Sequence, residues 1–156
     1  MKNTKAFTLI ELLVVVLIIG ILAAVAFPKY QRAVDKSRFV QVLTHFRTVY
    51  QDQQAFFLAN GRYATNWDEL SANVPEPTSG GGTSNYAHWN WGYCFIYAGY
   101  GGCGYSLARI IQNWNSSQGE CYASKESARA QEICRAVTGK KQSQANSAGN
   151  NYVYGF

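Results

Sequence analysis

Residues that carry out chemistry are scarce in these 156 positions. There are two histidines, His45 and His88, far apart, and no C-x-x-C pair, so the ligand spacings of a zinc site are missing. The nine acidic residues are scattered, and no Ser/His/Asp or Cys/His grouping offers a nucleophile with its base. Residues 135–156 contain no Asp or Glu, so a calcium ion would find no carboxylate ligands there. Thr138-Gly139-Lys140-Lys141 lacks the rest of a phosphate loop. Gly99, Gly101 and Gly104 match G-x-G-x-x-G by letter. They lie in a turn between two strand-like stretches, with no helix start to receive a pyrophosphate, so a dinucleotide site is rejected. No catalytic residue, cofactor or metal is expected, and the chain does not read as an enzyme.

What the sequence does have is one oily stretch, Phe7 to Phe27, with a single charged residue, Glu11. Its 21 residues as a helix, at about 1.5 Å each, reach about 31 Å, close to the hydrocarbon thickness of a bilayer. Helix is the conformation that satisfies every backbone group in lipid. Lys2 and Lys5 precede it and favour a cytoplasmic N-terminal end. Three readings compete: a cleaved signal peptide, a membrane anchor and a buried core helix. The first fits poorly, because the run is long for a signal peptide and contains Glu11. A carboxylate at the bilayer centre costs about 3 kcal/mol on insertion scales. Near one end of the helix, snorkelling and the positive helix terminus lower that cost. The residues alone leave open whether Glu11 is tolerated or functional.

After Pro28 the pattern turns amphipathic. Phe39, Leu43, Phe46, Tyr50, Gln53 and Phe57 recur at spacings of four and three, flanked by Val42, Val49 and Phe56. This predicts a helix over 29–59 that packs under a sheet, ended by Asn60-Gly61. Gly20 and Pro28 are expected helix-kink positions: Pro28 has no N–H to donate and disfavours helix at Phe27, so a kink or local opening is expected there, and Gly20 adds a second soft point. A connecting stretch, 60–85, holds a short turn capped by Asn66 and a Gly/Ser loop at Thr78–Asn85. Alternation over Tyr86–Tyr97 predicts a strand, Ala98–Gly104 a glycine-rich turn and Tyr105–Ile111 a second strand. A short strand at Glu120–Tyr122, a helix capped by Ser124 with Ala128, Ile133, Cys134 and Val137 inside, a polar loop at 140–150 and a final strand at Asn151–Phe156 complete the expectation. The four cysteines, Cys94, Cys103, Cys121 and Cys134, allow three pairings. Short local loops favour Cys94–Cys103 and Cys121–Cys134. Aromatic residues make up 15%, with 11 Tyr and 4 Trp, large contact area for a small head.

Ala6-Phe7-Thr8-Leu9-Ile10-Glu11-Leu12, followed by the apolar run, resembles the cleavage and methylation motif of type IV pilins, shared by the pseudopilins of type II secretion. The family usually has Gly where Ala6 stands. Asn60-Gly61-Arg62-Tyr63 and the order Cys121, Ala130, Cys134, Gly139 are similar to later parts of pilins. The resemblance implies an α+β pilin fold: a leader at 1–6, a transmembrane and filament-core helix at 7–28, and a head at 29–156 with an antiparallel sheet over 86–156. It implies a cut between Ala6 and Phe7 by a prepilin peptidase, methylation of the Phe7 amine, and Glu11 as an assembly residue. Gly20 and Pro28 fall where pilins place helix-loosening residues.

The implied function is a structural subunit of a type IV pilus, for adhesion, motility or DNA uptake; the alternative is a pseudopilin of type II secretion. The implied partners are copies of itself, other pilins, the peptidase and methylase, the assembly platform and the membrane. The subunit would wait as a single-pass inner-membrane protein with its head in the periplasm, then enter an extracellular pilus or a periplasmic pseudopilus. Removing Lys2 and Lys5 with a leader lowers the formal charge from +5 to +3, weak support for DNA as a partner. The basic residues of the last third read first as a solvated face. Asn115-Ser116-Ser117 fits a glycosylation sequon, a match common by chance.

Overall fold

The computed structural model describes residues 7–70 and 76–156. The expected leader, Ala6 included, lies outside the described residues. The chain divides into two units after Asp35. A helix, α1, is assigned without a break from Leu9 to Asn60, through Gly20 and Pro28. In the first unit its large apolar side chains are exposed, from 45% at Val14 to 88% at Leu9. Among the described residues it supplies the helix long and apolar enough to cross a membrane.

In the second unit, α1 buries Phe39, Val42, Phe46, Val49 and Gln53. Leu43 and Tyr50 are only half-buried, and Phe57 is exposed at 37%. The buried face is therefore rotated from the expected stripe. Neighbouring ladders of three-four spacing run side by side on any helix, and the core covers the one carrying Val42 and Val49. Gly61 ends α1 in the left-handed region, φ 69°, its N–H donating to the Phe57 carbonyl at 2.8 Å. The chain then folds back onto the helix. The fully buried Gln53 amide donates to the Ala64 carbonyl at 3.0 Å and accepts from the Ala64 N–H at 2.9 Å. Asn66 caps the turn at Trp67–Glu69, as expected.

Among the described residues the sheet has eight antiparallel strands: β1 (Ser79–Gly80), β2 (Tyr86–Trp89), β3 (Gly92–Ile96), β4 (Tyr100–Gly104), β5 (Ala108–Asn113), β6 (Gly119–Ser124), β7 (Asn146–Ala148) and β8 (Asn151–Gly155). Their order is β1-β2-β3-β4-β5-β6-β8-β7. The Tyr86–Tyr97 stretch, expected as one strand, is a hairpin turning at Asn90-Trp91, with His88 opposite Tyr93 and Trp89 opposite Gly92. The two-residue turn reverses which parity faces inward. Trp89 is thus buried on one face, while Tyr93 lies on the other. The expected glycine turn, Ala98–Gly104, is mostly strand β4. Its glycines make room: a Cβ on Gly101 would lie 2.2 Å from Cζ2 of Trp114, which is only 1% exposed. The second strand starts at Ala108 instead of Tyr105. Two short strands, β1 and β7, occupy stretches expected to be loops.

The inner face carries Ala87, Cys94, Ile96, Cys103, Ile110, Cys121, Ala123 and Tyr154, all buried. A second helix, α2 (Ala128–Thr138), packs against β6, β8 and β5. Ser127, not Ser124, is its cap, accepting from the Ala130 N–H, because Ser124 is still paired with Asn151 in the sheet. Ala130 takes the inner place expected of Ala128, which is exposed. Gly139 closes the helix in the left-handed region. Disulfides join Cys94 to Cys103, opposite each other on β3 and β4, and Cys121 of β6 to Cys134 of α2.

His45 stacks on Trp91 at 4.1 Å between ring centroids, with Trp89 behind it. Burial lowers its pKa below the ordinary 6.5. The unfolded chain therefore takes up that proton more readily than the native head. The contribution is present above about pH 6.5 and is lost as pH falls through 6.5 toward the lower native value. Asp52 opposes it, since burial raises its pKa. The difference between wild type and His45→Gln isolates the histidine. Thermal unfolding at pH 7.5 and pH 5 is expected to show a smaller loss on acidification in the variant.

Candidate assembly site at the helix start

α1 begins with a reciprocal pair. The Thr8 N–H donates to Glu11 Oε2 at 2.8 Å, and the Thr8 hydroxyl donates to the same oxygen at 2.7 Å. The Glu11 N–H returns a bond to Thr8 Oγ1 at 3.3 Å. This is a capping box, which satisfies N–H groups that the first turn leaves without intrahelical acceptors. Its signature, Thr-x-x-Glu, stands in the sequence at Thr8-Leu9-Ile10-Glu11. Thr8 was not among the expected site residues, although the spacing alone marks the pair.

The box fixes the carboxylate at the positive end of the helix dipole. Phe7, at the N-terminal side, is 77% exposed, and Glu11 is exposed as well. Below them, the apolar surface continues through Val25 and Phe27. The arrangement is an uncovered apolar rod with one acid near its tip. Such a surface calls for lipid or other apolar helices. Of the other expected residues, Gly20 has open space where a Cβ would stand. Pro28 lies within the continuous helix, and Ala6 is outside the described residues. The four cysteines belong to the head and take no part at this end of the chain. Among the described residues there is no group of His, Cys, Asp and Glu that could hold a metal ion.

A family model, the prokaryotic N-terminal methylation motif, matches residues 1–27. The chain is similar to the type IV major pilin of Myxococcus xanthus, 39% identical over 68 residues, covering 44% of this chain and 31% of that protein. It is similar to the major component of the type IV wide pilus of Thermus thermophilus, 38% identical over 66 residues, covering 42% of this chain and 50% of that protein. A third relative is the type IV major pilin of Neisseria gonorrhoeae, 36% identical over 75 residues, covering 48% of this chain and 44% of that protein. The matched stretch spans about a third to a half of the length of these relatives.

Proposed function

We propose that this chain is a type IV pilin, a structural subunit of a type IV pilus that polymerises through α1; its methylation motif and its N-terminal matches support this reading. The observation that carries the reading is the exposed apolar half of α1 with one capped carboxylate at its tip. The names of the relatives, all pilus subunits, support a pilus over a secretion pseudopilus.

The helix waits in the membrane, where its backbone is self-satisfied. Cleavage between Ala6 and Phe7 frees the Phe7 amine, which is then methylated and carries a positive charge. Apolar helices from successive subunits stack in the filament core. A carboxylate entering that core without a partner is costly, and the Phe7 amine of a neighbouring subunit offsets the cost. Only one axial offset brings the two charges together, so Glu11 reports register. Gly20 and Pro28 ease local adjustment of the helix during packing. The prepilin peptidase, the methylase and an assembly platform are the partners this requires. The head faces the periplasm before assembly and the medium after it.

N-terminal sequencing and mass spectrometry of sheared surface filaments test this directly. The expected mature chain starts at methylated Phe7. A soluble product starting after Ala26 would overturn the proposal.

A further inference from the structure

The outer face of the sheet is unlike an ordinary solvated surface. Pairing places Tyr86 opposite Phe95, Phe95 opposite Gly102 and Gly102 opposite Ile111 on that face. Tyr86 and Phe95 lie 5.5 Å apart between ring centroids, Tyr97 and Tyr100 5.1 Å apart, and Tyr86 meets Tyr97 edge-on at 6.3 Å. The Phe95 ring leans over Gly102, whose Cβ would come within 2.9 Å of it, so the glycine keeps the floor low. The rings enclose a shallow concavity of about 400 Å³, with Tyr93, His88 and Arg109 on its wall. Arg109 is braced by Tyr122, its guanidinium carbon 5.2 Å from that ring. Among the described residues its wall contains one arginine and no carboxylate. The nearby Glu120 is bonded by the Tyr122 hydroxyl at 2.8 Å.

We infer that this face is a saccharide-binding site for a glycan carrying a carboxylate, such as a hexuronic acid residue. Flat aromatic faces pack against the C–H face of a pyranose, and phenol hydroxyls at the rim exchange hydrogen bonds with sugar hydroxyls. The volume suits one or two sugar rings. A lone guanidinium matches a single carboxylate with two parallel hydrogen bonds. A nucleic acid strand would need several cations along its phosphates. Lys125, further along the sheet, is committed to Ser147 and the Gly149 carbonyl. A second copy of the chain would bury about 800 Å² per partner in a stable interface, far more than this bowl offers. The site is independent of how α1 assembles.

The test uses the full chain in detergent micelles, with trigalacturonate, neutral galactotriose and an oligothymidylate as probes, read by ligand-observed NMR and calorimetry. Trigalacturonate is expected to bind more tightly than galactotriose. Tyr86→Ala should weaken it about tenfold, the scale of one lost aromatic contact. Arg109→Gln should bring the acidic probe down to the neutral one, and Tyr86→Phe should retain most of the binding. Near-UV circular dichroism identifies a variant that has lost its packing, in which case the Arg109 arm decides. Absence of trigalacturonate binding, indifference to both substitutions, or tighter binding of oligothymidylate would overturn the inference.

Discussion

Replacing Glu11 with valine is expected to leave the protein in the membrane and abolish filaments. Insertion should not suffer, because the change removes a carboxylate whose cost, about 3 kcal/mol at the bilayer centre, is only reduced near the helix end. Assembly should fail for the opposite reason. The Phe7 amine of each incoming subunit would enter an apolar core without its counter-charge. Removing one partner of a buried pair costs about 3–5 kcal/mol, which weakens each subunit addition roughly a hundred- to several thousandfold. Glu11→Gln separates charge from capping. It keeps an oxygen able to accept from the Thr8 N–H and hydroxyl, the two donors that hold Oε2. If pairing decides, glutamine fails as valine does; if the cap decides, glutamine assembles. Electron microscopy of sheared cells and carbonate extraction of membranes read the two properties separately. Normal filaments from the glutamine variant would refute the pairing role assigned to Glu11.

The second large effect is expected from the head. Removing the Cys121–Cys134 bridge, with both residues changed to serine, should cost about 3 kcal/mol and lower the unfolding midpoint by about 10 °C. The bridge ties α2 to β6. An isolated helix of 11 residues is marginal in water, so α2 depends on its attachment and on Ala130 and Ile133 in the core. Removing Cys94–Cys103 should cost less. That bridge joins residues already opposite each other in the β3–β4 ladder, and it closes a separation of 9 residues instead of 13. Thermal unfolding of the full chain in detergent, with thiol titration of each variant, checks the order. All four cysteines are fully buried, so the native head should resist reductants that act on the unfolded chain.

The helical half of the protein was legible because its signals are local. A run of apolar residues, a three-four stripe and a glycine stop are each readable within a few turns. The sheet was harder for a physical reason. Period-two alternation continues through a two-residue turn with its phase reversed, so Tyr86–Tyr97 looked like one strand. Strand β4 was hidden by its glycines, of which Gly101 admits Trp114, a residue supplied from beyond β5. That is a tertiary demand with no local trace. Ser124 and Ser127 are both plausible caps in sequence, and only the pairing of Ser124 with Asn151 decides between them. At the helix start the acid was found and its threonine overlooked, although Thr-x-x-Glu is itself a local signal. The aromatic bowl was invisible as a unit, since it depends on the register of four strands.

The Gln53 clasp has a chemical corollary. Its amide presents one donor and one acceptor, the same pattern as a peptide group, and so serves as a surrogate strand for Ala64. Glutamate has nearly the same shape, but would turn two lone pairs toward the Ala64 carbonyl and lose the donor. Spontaneous deamidation at this one position would therefore unlatch the joint between α1 and the chain that follows. The complete burial of Gln53, which keeps water away, sets how slowly the molecule ages there.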